Sequence, residues 1–122
     1  MKYKDSMAVL QEISNRNKAN IAKIFDNIYC EITENMVNTR EITKTFTTGY
    51  VDDWVQQFVP KSINFDVSMV YNEIVRQFPN LGYNIEFDRK NNTFEVSIRQ
   101  KVLIEFAKNE SQCSYDCVLD GI

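Results

Sequence analysis

The strongest pattern along the chain is helical. Ile21, Ile24, Phe25, Ile28, Ile32 and Met36 recur at three- and four-residue spacing, which sets them on one face of an α-helix. The spacing predicts a helix from about residue 18 to 37. Upstream, Ser6 is a natural N-cap for an earlier helical stretch that carries Val9, Leu10 and Ile13. The polar run over residues 14–18 leaves two readings open: one continuous helix, or a break near residues 15–17.

The period then shortens. Ile42 and Phe46 share one face and Thr43, Thr45 and Thr47 the other, so residues 41–48 are predicted as a strand, with Gly49 as punctuation. Val51, Trp54, Val55, Phe58 and Val59 return to helical spacing. This predicts a short helix over 51–59, with Asp52 and Asp53 in its first turn, where carboxylates suit the helix dipole, and Pro60 as its stop. Asp66 is the expected N-cap of the next helix, whose stripe is Val67, Val70, Tyr71, Ile74, Val75 and Phe78. Pro79 is expected to end it, and Gly82 permits the reversal that follows.

Tyr83, Ile85 and Phe87 alternate with Asn84, Glu86 and Asp88, and Phe94, Val96 and Ile98 with Thr93, Glu95 and Ser97. Between them Arg89-Lys90-Asn91-Asn92 is turn chemistry. The pattern predicts a β-hairpin over about 83–98. The same parity continues through Val102, Ile104 and Phe106. A single strand over 93–107 would reach about 50 Å at ~3.3 Å per residue, beyond the usual strand length. Either it bends or breaks near residues 99–101, or it pairs with another chain, giving an oligomer by strand exchange. By helical or strand pattern Phe25, Phe87, Phe94 and Phe106 belong to the core. Residues 109–122 read as a polar tail or a segment that packs on a partner, and residues 1–5 as a mobile end. The expected architecture is a single α+β domain over residues 1–122, with N-terminal amphipathic helices on a small antiparallel sheet that contains the C-terminal hairpin.

Composition sharpens the function classes. A hydrophobic fraction of 43% with only three Gly and two Pro among 122 residues calls for a buried core and few loops. A net charge of −3 argues against general binding to duplex nucleic acid. There is no histidine, which removes the commonest general base and excludes Ser–His and Cys–His nucleophile activation within one chain. Cys30, Cys113 and Cys117 are odd in number, as expected of a reducing compartment. Cys113 and Cys117 could ligate a metal only if Cys30 and a carboxylate completed the set; the simpler reading is free thiols, with no metal and no cofactor. No run approaches the ~20 apolar residues of a membrane span, and residues 1–6 lack an apolar signal core. A soluble, cytoplasmic protein is expected.

Gly49, Gly82 and Gly121 are too scattered for a phosphate-binding glycine loop. Asp52 and Asp53 read better as helix charges than as a catalytic pair. The expectation is therefore a non-catalytic binding protein. Phe78 and Tyr83 sit where a helix hands over to a strand, a place where clefts open and an aromatic can stack on a base. Arg76, Arg89 and Arg99 suit bidentate phosphate contacts, and Asn92 adds an orienting amide. Together these six residues are the candidate pocket for a small nucleotide. The ordinary alternatives are edge-of-core aromatics and a solvated hairpin tip.

The segment over residues 70–98, with Phe-Pro-Asn-Leu-Gly-Tyr-Asn-Ile at its centre, resembles a module of small bacteriophage proteins in which an amphipathic helix leads through a Gly-Tyr step into a hairpin. The likeness in element order covers about two thirds of the chain. In size, charge, lack of catalytic apparatus and its aromatic–Arg–Asn hairpin, the chain is similar to the phage anti-Thoeris nucleotide-sponge family. That resemblance implies a non-catalytic, oligomeric counter-defence protein of the host cytoplasm that sequesters a cyclic ADP-ribose-like immune signal. Two other readings stand beside it. One is a protein-binding inhibitor of a host defence enzyme, of the anti-CRISPR or anti-restriction type, using acidic residues such as Glu31, Glu34, Asp52 and Asp53. The other is a phage structural or assembly protein.

Overall fold

The computed structural model describes residues 3–120, with side chains described for residues 3–110. Helix α1 spans Ser6–Thr39, strand β1 Thr43–Thr47, helix α2 Thr48–Phe58, helix α3 Ser68–Asn80, strand β2 Tyr83–Asp88, strand β3 Thr93–Ile98 and helix α4 Gln100–Asp120. This is an α+β fold with a three-stranded antiparallel sheet in the order β1-β3-β2.

The two N-terminal helical stretches are one helix of 34 residues. Its cap is Asp5 rather than Ser6: the Asp5 carboxylate accepts the Ala8 N–H at 2.8 Å, leaving Ser6 as the first helical residue. The Asn-rich run does not break it; the Gln11 side chain donates to Asn15 Oδ1 one turn on, at 3.0 Å. The helix stops at Arg40, which is left-handed at φ 56°. Asp66, the expected cap, lies two residues before α3: its carboxylate accepts the Ser68 N–H at 3.0 Å and the Ser68 hydroxyl at 2.7 Å, but the residue at the cap position is Val67, with no side-chain cap bond. Two local expectations shift. Pro79 lies inside the last turn of α3, where one missing N–H is tolerable, and the chain turns only after it, through the Leu81 and Gly82 N–H groups. Because α2 starts at Thr48, Asp52 and Asp53 lie beyond its first turn, so they are not charges at its N-terminus.

The larger correction concerns residues 99–107. β3 ends at Ile98, and the Val102 and Leu103 N–H groups both donate to the Arg99 carbonyl, starting α4. Strong helix formers at Gln100, Lys101, Leu103, Glu105, Ala107 and Lys108 outweigh a three-residue apolar alternation. There is thus no long strand to exchange. Phe106, expected in the core, is 64% exposed. Asn109 to Asp120, expected as a polar tail, continues the helical backbone.

The core lies between three helices and one face of the sheet. Ile21, Ile24, Phe25, Ile28, Ile32 and Met36 of α1 meet Val51 and Val55 of α2, Val59 just beyond it, Val70, Ile74 and Phe78 of α3, and Phe46, Phe94 and Val96 of the sheet. Each of the fully buried side chains is worth about 1.5–3 kcal/mol of transfer free energy. Phe87, Phe94 and Phe46 form a row across the three strands: Phe94 opposes Phe46 on one side and Phe87 on the other, with ring centroids 5.7 and 5.6 Å apart. The opposite face carries Thr45, Glu95 and Glu86 in the same manner and is polar. Phe87 ends the aromatic row at the sheet edge and is 36% exposed, so it is a wall residue more than a core one.

Candidate functional site

The six residues singled out from the sequence do not form one group. Phe78 is wholly buried, packed edge-on against Phe25, at 5.7 Å between centroids, and Tyr83, at 5.6 Å. Its ring has no face left for a ligand. Tyr83 is half-buried beside Tyr29. Burial, reinforced by the neighbouring Tyr29 hydroxyl, pushes the Tyr83 phenol up to about 12. Arg99 sits at the same end of the hairpin, its Nε donating to Asn84 Oδ1 at 3.3 Å. Arg76 is ion-paired with Glu73 one helical turn earlier, at 2.6 Å. Only Arg89 and Asn92 stand together, at the turn of the hairpin. Six residue steps of strand separate Arg89 from Tyr83, about 20 Å at ~3.4 Å per residue, and Arg99 lies at the Tyr83 end.

Arg89 and Asn92 open onto a cleft of about 420 Å³, within the range of small-molecule sites. Three segments build it. The start of α2 contributes Thr48, the outer side of α3 contributes Ser68, Tyr71, Asn72 and Val75, and the hairpin contributes Phe87 to Arg89, Asn92 and Thr93. Hydrogen bonds hold the segments in register. The Thr48 N–H donates to the Asn92 carbonyl at 2.9 Å, and the Tyr71 hydroxyl donates to the Thr48 carbonyl at 3.2 Å. Asn92 is left-handed, φ 53°, a conformation asparagine adopts more readily than most residues, and this directs its carbonyl to α2.

One wall is aromatic. Tyr71 and Phe87 meet edge to face with centroids 5.8 Å apart, and Val75 continues the apolar surface. The rim is polar and carries one cation. Among the described residues Arg89 makes no ion pair. Asp88 beside it is committed to shaping the turn. One carboxylate oxygen accepts the Lys90 and Asn91 N–H groups and the other the Asn91 side-chain amide at 2.7 Å, and the Asn91 side chain leads in holding its pKa below the ordinary carboxylate value. The Tyr71 phenol is raised, by burial first and then by the nearby Asp52 carboxylate, so at neutral pH it presents a neutral ring. The arrangement can hold a flat group against Tyr71 and Phe87 and a negative group at Arg89.

Periodicity places Tyr71, Val75 and Phe87 on apolar stripes, and no sequence pattern marks Thr48, Ser68 and Asn72 as site residues. The one available signal was Tyr71 itself, since a tyrosine on an apolar stripe must bring its hydroxyl to a partner or to water.

A second, shallower groove of about 290 Å³ lies at the open end of the hairpin, between Met36, Val37 and Ile42 on one side and Tyr83 and Ile98 on the other. Among the described residues no three potential metal ligands cluster. Cys30 is exposed on α1, and the Cys113 and Cys117 side chains lie outside the described residues. Among the described residues no helix is long and apolar enough to cross a membrane. No family model, curated protein or solved structure matches this chain.

Proposed function

We propose that the protein is a non-catalytic binding protein that sequesters a small cyclic nucleotide-type ligand, cyclic ADP-ribose-like in size, in the cleft walled by Tyr71 and Phe87. The observation that carries the reading is the meeting, in one cleft of about 420 Å³, of a partly exposed aromatic pair and an arginine with no ion-pair partner among the described residues. In this reading the base lies on the aromatic wall, Arg89 takes a phosphate, and Asn92 and Asn72 orient the sugar or base edge. The titratable groups of the cleft support binding over catalysis: Tyr71 is raised, Asp88 is lowered and fully hydrogen-bonded, and general acid–base work needs a group poised near the working pH. The resemblance of residues 70–98 to a module of small phage proteins, and of the chain's size, charge and aromatic–Arg–Asn hairpin to the anti-Thoeris sponge family, supports a counter-defence role in the host cytoplasm.

The test is a thermal-shift screen of the purified protein against cyclic dinucleotides, cyclic ADP-ribose isomers and AMP. A ligand at a hundredfold its Kd stabilises the native state by about 2.7 kcal/mol, a rise of several degrees in Tm. Arg89→Ala is expected to abolish the shift while leaving the Tm without ligand unchanged, and Arg99→Ala to keep it. Loss of the shift in the Arg99 variant alone would move the site to the other end of the hairpin. Absence of any shift would overturn the reading. A protein-binding inhibitor would then lead, favoured by the exposed Val102, Ile104 and Phe106 of α4.

A further inference from the structure

The rim of the cleft carries two opposite charges on consecutive residues, Asp88 and Arg89. The Arg89 guanidinium has no ion-pair partner among the described residues, which leaves its fork open to an anion. The Asp88 carboxylate is fixed on the same turn. It accepts the Lys90 N–H at 3.1 Å, the Asn91 N–H at 3.3 Å and the Asn91 side-chain amide at 2.7 Å. Those bonds favour its charged form. Among the described residues no second cation lines the cleft.

A phosphate held by Arg89 therefore has one positive charge to meet and one negative charge beside it. A phosphodiester suits this rim. It carries a single charge over two free oxygens, and a guanidinium fork matches two oxygens. A phosphomonoester suits it less. Its second pKa is about 6, so at neutral pH it carries nearly two charges over three oxygens. The third oxygen would give up water without gaining a donor, and its charge would stand next to Asp88.

We infer that the cleft selects phosphodiesters, the form found in cyclic nucleotides, over phosphomonoesters, and that Asp88 makes the distinction. The inference rests on the ligand reading above and supplies a physical cause for its preference for a closed ring. Hydrolysis of a cyclic phosphodiester adds water across one P–O bond and leaves a monoester, so the site would hold the closed ligand and let the opened one go.

Calorimetric titration of the full chain with three adenine ligands separates charge from ring shape. Cyclic AMP is a closed diester, the methyl ester of AMP an open diester, and AMP the monoester. At about pH 7.5 the two diesters are expected to bind alike and AMP at least about threefold more weakly, the effect of one charge a residue's length away even at the dielectric of water. At about pH 5.5 AMP should approach its methyl ester, while the diesters stay unchanged. The charged groups around the rim are Asp88, Arg89 and Lys90 on the turn, Asp52 beside Tyr71, Glu73 and Arg76 on α3, and Glu86 and Glu95 on the sheet. Side chains of these types titrate outside that window, and the chain has no histidine. Asp88→Asn keeps an oxygen for the N–H groups of the turn and should bring AMP to within about twofold of the methyl ester at pH 7.5.

AMP binding as tightly as its methyl ester to the wild-type protein at pH 7.5 overturns the inference and leaves the ligand reading standing. A methyl ester as weak as AMP overturns it too, since ring shape and not charge would then decide. So does a folded Asp88→Asn protein that still disfavours AMP. Binding of cyclic ADP-ribose with none of the three adenine ligands overturns the inference alone, because one phosphate on Arg89 would not be enough to hold a ligand. If none of the four binds, the ligand reading falls and the inference with it.

Discussion

The Tyr71 ring meets the Phe87 ring edge-on, at 71° between planes, while its hydroxyl donates to the Thr48 carbonyl 3.2 Å away. One side chain of α3 therefore ties the sheet edge to the start of α2. Tyr71→Phe removes the hydrogen bond and keeps the ring, and is expected to cost about 0.5–1.5 kcal/mol. Phe87→Ala removes the ring pair, worth about 0.5–1.5 kcal/mol beyond its buried area, and should cost more than Tyr71→Phe. Urea unfolding of the two variants checks the order. A Tyr71→Phe protein as stable as wild type would mean that water replaces the Thr48 contact without loss.

Gly82 stands where α3 reverses into β2, at φ +95°, and a Cβ there would meet Val102 Cγ2 of α4 at 3.2 Å. Gly82→Ala is expected to destabilise by about 1–2 kcal/mol through the backbone conformation alone, with a smaller steric part. Adding Val102→Ala should recover the steric part and leave the rest. Full recovery in the double variant would show that crowding, and not the backbone, sets the cost.

Glu86 and Glu95 oppose each other directly across β2 and β3 on the polar face of the sheet. Like charges in that relation are destabilising, and opposite ones contribute about 0.2–1 kcal/mol. Glu86→Lys is expected to raise stability by that order, with the gain shrinking in high salt. A loss of stability at low salt would contradict this.

Among the described residues three phenols resist ionisation in the fold. Burial is the first cause for Tyr50, Tyr71 and Tyr83, and carboxylates add to it for Tyr50, through Glu31, and Tyr71, through Asp52. Raised folded values mean that the fold favours the protonated form. The associated stability is intact below the ordinary tyrosine value of 10 and is lost as pH rises through the folded values, about 12 for Tyr83. Absorbance titration should show these phenols ionising late and together with unfolding. Reversible ionisation of all six tyrosines near pH 10 with the fold intact would refute the assignment.

Much of the fold was legible because its signals are local. The stripe from Ile21 to Met36 and the alternation on both sides of Arg89-Lys90-Asn91-Asn92 both depend on neighbours within a few residues, and these elements formed where the period placed them. The misread stretches were those where local signals compete. Val102, Ile104 and Phe106 fit a strand by parity, yet on a helix Val102 and Phe106 share a face as well, and the surrounding helix formers decided. Asp5 and Ser6 are both good caps, and the choice between them turned on which oxygen reached the Ala8 N–H.

The candidate site was only partly legible. Arg89 and Asn92 are legible because charged and amide residues cluster at a turn. Phe78 stands at a helix–strand junction in the sequence, but a residue on the inner side of α3 is covered once α1 packs there, and no sequence pattern specifies which neighbour will cover it.

The sequence by itself determined the periodic elements, the buried stripe of each helix and the inward face of each strand, because the side-chain period follows from the backbone geometry of a single element. Tertiary structure alone decided the cleft, the burial of Phe78 and the exposure of Met7, Leu10 and Ile13 on the first half of α1. Each of these arises where residues far apart in the chain meet, or fail to meet. Tyr71 faces Phe87 across two elements, and α1 outruns the body that covers its second half.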